Sequence, residues 1–218
     1  MQLTAATRNP AKVQELARLV AGLADVVPLP PDTHLNAAPD TTVPEESHSF
    51  EENAAAKAAF WSRRISGSQM VIATDGGLLI PALGDRWNPM RTRRFAGESA
   101  DDVGRAESLI ALASDLNEDQ RVIAWQEALV VASDGALLAS WFATSEPGLL
   151  ARDVDSAMIA GGNGFWIPAL WVCPDFEGRR LAELSAEELA TRRDHWYRLG
   201  EHLRAFLRGL TPTSPSSR

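Results

Sequence analysis

A short strand that turns straight into an amphipathic helix opens the chain, and this start narrows the folds open to it more than any other feature. Gln2 to Ala6 reads as the strand, and Thr7-Arg8-Asn9-Pro10 breaks it. Asn9 suits a helix cap and Pro10 the first helical position, while Val13, Leu16, Leu19 and Val20 form an apolar stripe that stops near Gly22. Val26 to Leu29 predicts a second strand. Strands and helices alternate in this way through the first half of the chain, and a hairpin comes late. That order predicts an α/β protein built on a mixed sheet.

The rest of the chain extends the pattern. Residues 30–44 are Pro-rich and polar and read as a loop. Ser49-Phe50-Glu51-Glu52 is a capping box that opens an alanine-rich helix to about Arg64. Met70–Ala73 and Leu78–Ala82 read as strand segments on either side of Thr74-Asp75-Gly76-Gly77. Ser99-Ala100-Asp101-Asp102 starts a helix with Val103, Ala106, Leu109, Ile110 and Ala113 on one face. Arg121–Ala132 and Ala136–Ala143 predict a hairpin joined at Asp134-Gly135. The cluster Gly161-Gly162-Asn163-Gly164 precedes an aromatic strand from Phe165 to Val172, and Ser185-Ala186-Glu187-Glu188 caps a last long helix to about Arg208. With no internal repeat and no dividing linker, residues 1–208 read as one domain, and 209–218 as a disordered tail.

Composition removes several functional classes. The 218 residues are 45% hydrophobic, enough for a real core. A single cysteine, Cys173, excludes a disulfide framework, and His34, His48, His195 and His202 lack the spacing of zinc ligands. No apolar run reaches the length of a membrane span, and MQLTAATRNP does not read as a secretory signal, so the expectation is a soluble, cytoplasmic protein without a membrane partner. A net charge of −8 argues against a surface that tracks a nucleic-acid polymer, but leaves room for a small anion in a locally basic cleft. Of the 21 cations only Lys12 and Lys57 are lysines. A compact ammonium acts as a point charge on phosphate, which gives those two positions interest.

Several residues could carry chemistry. The helix start at Thr7-Arg8-Asn9-Pro10-Ala11-Lys12 offers backbone N–H groups, a positive dipole end, side-chain donors and a charge to an anion; an ordinary capped helix has the same sequence. Asp75, before two glycines, could bind a divalent cation or activate water, or simply serve a turn. Glu45 and Glu46 could complete a Mg2+ site or lie solvated in a loop. Arg91, Arg93 and Arg94 make a basic patch suited to phosphate or to surface ion pairs. Phe165 and Trp166 could stack on a base or belong to the core. No Walker A motif, nucleophile elbow or dinucleotide fingerprint is present.

Taken in order, these segments resemble the inosine triphosphate pyrophosphatase family, which hydrolyses deaminated purine nucleoside triphosphates to the monophosphate and pyrophosphate. Ala6-Thr7-Arg8-Asn9-Pro10-Ala11-Lys12 matches its T-x-N-x-x-K. Phe50-Glu51-Glu52-Asn53-Ala54 with Lys57 and Ala58 matches its F-x-E-N-A-x-x-K-A. Ala73-Thr74-Asp75-Gly76-Gly77-Leu78 is similar to its A-D-D-S-G-L, and Arg94-Phe95-Ala96-Gly97-Glu98 to its R-Y-x-G-E. The resemblance runs over residues 1–207, and both lysines fall on motif positions.

The resemblance implies an elongated mixed sheet flanked by helices, two lobes around an active-site cleft, and a homodimer. It implies Mg2+ held by Asp75 with Glu45 and Glu46, and a nucleophilic water delivered by Asp75 or near it. Thr7, Arg8, Asn9, Lys12, Lys57, Gly76 and Arg94 would hold the triphosphate, with Lys12 and Lys57 neutralising charge on the departing pyrophosphate. Phe165 and Trp166 would meet the base, with Arg192, Arg193 and His195 nearby. The chain also departs from the pattern. The paired acids become Thr74-Asp75, the serine becomes Gly76, and G-F-G-[YW]-D-P becomes Gly164-Phe165-Trp166-Ile167-Pro168. The late K-x-x-x-S-H-R appears as Leu189-Ala190-Thr191-Arg192-Arg193-Asp194-His195, in which Arg192/Arg193 and Asp194/His195 compete for the basic positions. The expectation is a pyrophosphohydrolase with altered base recognition. The alternatives are a catalytically weak nucleotide-binding relative, or an enzyme for another modified nucleotide.

Overall fold

The computed structural model describes residues 1–7, 9–30, 49–65, 70–97, 99–162 and 165–210. In chain order the elements begin β1 (Gln2–Ala5), α1 (Pro10–Leu19), β2 (Asp25–Pro28), α2 (Phe50–Ser62), β3 (Met70–Leu79), α3 (Asp102–Leu112), β4 (Val122–Ser133) and β5 (Ala136–Thr144). They continue with β6 (Gly148–Leu150), α4 (Ser156–Gly161), β7 (Trp171–Cys173), β8 (Arg179–Arg180), α5 (Ala186–Thr191) and α6 (His195–Leu210). The chain adopts the mixed α/β architecture that its alternation predicts. It divides into two compact units, the first made of Met1–Asp75, Glu127–Ala143 and the chain from Trp196, the second of Gly76–Gln126 and Thr144–His195.

The first unit is where the β–turn–α start leads. β1 runs parallel to both β2 and β3, with Leu3 opposite Val26 on one side and Met70 on the other. β4 lies beside β3, and β5 pairs with β4. The β4–β5 turn is Asp134-Gly135, both in the left-handed region at φ 50° and 81°, as a tight hairpin turn that matches strand twist requires. Leu3, Leu16, Ile72, Leu129, Leu199 and Leu203 form the centre of its core. Leu199, Leu203 and Leu207 recur every four residues on α6, so one face of that helix is buried. Arg204 of α6 donates to the carbonyls of Leu19 and Ala21 at 3.2 and 3.1 Å, satisfying acceptors at the C-terminal end of α1.

In the second unit the sheet turns antiparallel. β4 pairs with β6, β6 with β7 and β7 with β8. Its core holds Leu78, Leu109, Ile123, Leu150, Trp166 and Trp171. Arg121 is buried there at 4% exposure, and its guanidinium donates to the carbonyls of Leu150, Ala113 and Ala151.

Four local expectations are corrected. The predicted break at Thr74-Asp75-Gly76-Gly77 is absent: β3 runs unbroken from Met70 to Leu79, and Asp75 sits inside the strand rather than at its end. Pro81 and Ala82, read as the end of a strand, instead open the 3-10 stretch Pro81–Arg86, because Pro81 withholds a ladder donor. The aromatic stretch after Phe165 is a 3-10 turn at Ile167–Ala169 before the short β7, with Pro168 again opposing a strand. The last helix also divides. The Ser185–Glu188 capping box is present, but it opens the short α5, and α6 begins afresh at His195. Residues 211–218, most of the predicted tail, and residues 31–48, which include most of the predicted loop with Glu45 and Glu46, lie outside the described residues.

Candidate active site

Strand β3 carries the site of the first unit. Successive strand residues point to opposite faces, and here Thr74 and Asp75 each meet a lysine. On one side Lys57 Nζ lies 2.6 Å from Asp75 Oδ1, and Asn53 Nδ2 donates to Asp75 Oδ2 at 2.9 Å. Asn53 and Lys57 are four residues apart on α2 and therefore share a face. The Ser49 hydroxyl, which accepts from Glu52 N at 3.1 Å, fixes where α2 begins and hence where those two side chains stand. Both oxygens of Asp75 are thus engaged by N–H donors.

On the other side Lys12 of α1 donates to Thr74 Oγ1 at 3.2 Å and to Glu127 Oε1 at 2.8 Å. Glu127 lies on β4 and is fully buried. The turn before α1 is organised by side-chain acceptors: Thr7 Oγ1 accepts from Asn9 N at 3.1 Å, and Asn9 Oδ1 accepts from Ala11 N at 2.9 Å. Neither bond uses the Thr7 hydroxyl proton or the Asn9 amide protons, which keep their capacity to donate to an anion.

The sequence-predicted residues fall as follows. Thr7, Asn9, Lys12, Lys57 and Asp75 belong to the first unit, and Gly76 follows Asp75 on β3. Arg8, Glu45 and Glu46 lie outside the described residues. Arg94, Phe165, Trp166, Arg192, Arg193 and His195 belong to the second unit. There Arg94 and Arg193 are exposed, and Arg192 donates to Cys173 Sγ at 3.0 Å. Burial pushes the Cys173 thiol up from its ordinary pKa, and the Arg192 guanidinium opposes that shift. Trp166 is 4% exposed and stacks on Phe95, a core position, whereas Phe165 is 38% exposed with its ring edge-on to Trp125. His195 is nearly buried beside Trp125.

Two site residues escaped the sequence reading. Asn53 was visible only as a letter of a helix motif, with no role. Glu127 left a usable signal: it is an acid at the start of the apolar run Ala128-Leu129-Val130-Val131-Ala132, and a charge in such a strand requires a partner. Among the described residues, no three His, Cys, Asp or Glu side chains gather as a metal-binding group. Asp75 still suits a divalent cation, because it offers hard carboxylate oxygens on a side chain that is 19% exposed.

The fold and this pair of lysine–carboxylate contacts define an α/β protein with a polar site on a central strand. Comparison with known proteins makes the class specific. The Ham1 family model matches residues 3–204. A dITP/XTP pyrophosphatase of an Anaeromyxobacter species is 32% identical over 215 residues, covering 86% of this chain and 89% of its own. The dITP/XTP pyrophosphatase of Geobacillus kaustophilus is 34% identical over 187 residues, covering 86% and 85%. Among solved structures, a HAM1 protein from Coxiella burnetii superposes with a TM-score of 0.74 at 22% identity, over 96% of this chain and 99% of that one. A nucleoside-triphosphatase and dITP/XTP pyrophosphatase from Mycobacterium abscessus gives 0.65 at 27% identity, over 97% and 100%. The chain belongs to the Ham1 family. The motif resemblance to inosine triphosphate pyrophosphatases is in keeping with the names of these relatives. No helix among the described residues is long and apolar enough to cross a membrane.

Proposed function

We propose that this chain is a Mg2+-dependent nucleoside triphosphate pyrophosphohydrolase, acting on deaminated purine nucleotides (ITP, dITP, XTP) with altered base recognition. The observation that carries the reading is the Asp75 carboxylate held between Lys57 and Asn53 on β3, in a chain whose relatives are named dITP/XTP pyrophosphatases.

In this reading Asp75 takes a proton from the attacking water. The water oxygen bonds to the α-phosphorus, and the bond from that phosphorus to the bridging oxygen breaks to release pyrophosphate. Lys57 and Asn53 hold the carboxylate in one orientation during the transfer, as a general base requires. The Thr7 hydroxyl, the Asn9 amide and the N-terminal end of α1 bind phosphate oxygens, and the two ammonium groups offset charge that builds on the leaving group. Asp75, with Glu45 and Glu46 as the expected further ligands, would hold Mg2+, which supplies charge neutralisation on the phosphates. The cytoplasmic location and the homodimer are part of the same proposal.

Altered base recognition is supported by Ile167, which stands where the family pattern has an aspartate and is buried at 3% exposure. A pocket that loses a hydrogen-bonding group loses discrimination between bases that differ in that group. Thr74 favours the second reading, a relative that binds nucleotide and turns it over weakly.

Pyrophosphate release from inosine, xanthosine, guanosine, adenosine and pyrimidine triphosphates, with and without Mg2+ and beside an Asp75→Asn control, tests both. Mg2+-dependent release that is lost in the control supports hydrolysis, and the preferred base reports the pocket. Tight nucleotide binding with no release from any of the panel overturns the enzyme in favour of the binding protein.

A further inference from the structure

We propose that Glu127 is a positioning residue for Lys12, supplying from β4 the carboxylate that Thr74 does not supply from β3. The inference rests on the hydrolase reading and adds a residue to it. β3 and β4 are neighbours in the sheet, and Lys12 Nζ touches both strands, with Glu127 Oε1 at 2.8 Å and Thr74 Oγ1 at 3.2 Å. The Glu127 side chain is 1% exposed and that of Lys12 25%. A buried carboxylate is retained only where a charge or donors compensate it, and in a chain of 19 arginines and two lysines this one is met by a lysine.

The two acceptors differ in kind. Glu127 brings a full charge from the interior, and Thr74 a neutral hydroxyl oxygen. Between them they occupy two of the three ammonium donors, which restrains a flexible four-carbon side chain that keeps 25% of its surface exposed. In the family pattern the residue at position 74 is itself acidic. Here the hydroxyl removes that charge from β3, and Glu127 places one against the same ammonium from the adjacent strand. Glu127 itself is fully buried and acts through Lys12 rather than on substrate.

The test uses Glu127→Gln, which keeps the shape, and Glu127→Gln/Thr74→Asp, which returns a carboxylate to the β3 side of the same ammonium. The steady-state readout is pyrophosphate release from the best nucleotide of the panel. Misplacing a positioned group by about an ångström costs on the order of a hundredfold, so Glu127→Gln is expected to lower kcat roughly 10–100-fold, with KM moving far less. The double variant is expected to recover most of that loss.

A role in stability alone predicts otherwise: a lower Tm, kcat near wild type in the protein that remains folded, and no recovery from Thr74→Asp. Either unchanged kcat in Glu127→Gln or absence of recovery in the double variant overturns the proposal. A second readout is independent of turnover. With two lysines in the chain, proton–nitrogen correlation NMR of the ammonium groups resolves each. The Lys12 signal is expected in wild type, lost in Glu127→Gln and restored in the double variant. If wild type releases pyrophosphate from no nucleotide, the hydrolase reading fails, while this signal still decides the placement of Lys12. A Lys12 signal unaffected by Glu127→Gln overturns the positioning role whatever the turnover.

Discussion

Lys57 and Asp75 meet at 2.6 Å across 18 residues of sequence, with side chains 15% and 19% exposed, so helix α2 is tied to strand β3 by a mostly buried ion pair. Removing either charge leaves the other in a site with little solvent to replace its partner. Lys57→Met and Asp75→Asn should each destabilise by about 1–3 kcal/mol, and the double variant by less than their sum, with a coupling of about 1–2 kcal/mol. Urea denaturation of the four proteins measures the cycle. Additive losses would mean that the pair contributes no coupling, and that Asn53 and the backbone alone hold Asp75.

That contact also shows how far a sequence can be read. The period of α2 places Asn53 and Lys57 on one face, and that much was within reach of the motif alone. The continuity of β3 was not. Thr74-Asp75-Gly76-Gly77 has the composition of a turn, and pairing with neighbouring strands overrides that local preference. What Glu127 meets was hidden for a related reason. Its partner lies 115 residues away on α1, and strand alternation shows which side chains are buried, but not which helix covers them. The β1–α1 start, the Ser49 cap and the Asp134-Gly135 hairpin were legible because their signals are local. The aromatic segment misled because Phe165 and Trp166 suit a strand, whereas Pro168 two residues later does not.

Arg121 is a buried cation whose hydrogen-bond acceptors in the core are carbonyls. Burial, then the nearby charge of Arg152, pushes its guanidinium below the ordinary arginine pKa. The planar fork serves the carbonyls of Ala113, Leu150 and Ala151 at once, joining the end of α3 to the end of β6. Arg121→Met removes the cost of burying charge but strands those three acceptors, and a net loss of about 2–4 kcal/mol is expected. Arg121→Lys should recover only part of it, since one ammonium cannot reproduce the fork. Chemical denaturation of both variants reads the difference; a lysine variant as stable as wild type would show that charge, rather than geometry, is what the site requires.

Gly148 of β6 lies against the Trp171 indole of β7. A Cβ built there would stand 2.0 Å from Trp171 Nε1 and 2.6 Å from Cδ1 and Cε2. Trp171 is 3% exposed, and the ring is rigid, so the contact cannot be relieved by a small side-chain motion. Gly148→Ala should destabilise by about 3 kcal/mol or more, at or above the usual cost of overpacking. Trp171 Nε1 is buried without a hydrogen-bond partner among the described residues, so Trp171→Phe loses area but also an unsatisfied donor. The double variant should therefore melt at a higher temperature than Gly148→Ala alone. A lower melting temperature would mean that the indole contributes more by packing than the added methyl costs.

Glu188 gives the second unit an acid-sensitive contact. Its carboxylate accepts from Arg179, which is the larger cause, and from Ser185 N at 2.8 Å, and these bonds bring its pKa from 4.5 to about 2. A carboxylate whose pKa is lower in the folded state stabilises that state above its unfolded pKa. The contribution is whole above about pH 5 and disappears as pH falls through about 2. Arg179 is 40% exposed and Glu188 31%, so solvent and salt weaken the effect. Thermal unfolding of wild type and Glu188→Gln from pH 2 to 7 measures it. The gap between the two Tm curves should be widest and flat near neutrality, close toward pH 2, and shrink when salt is raised. A gap independent of pH would assign the effect to capping geometry at Ser185 that glutamine fails to reproduce, rather than to the charge.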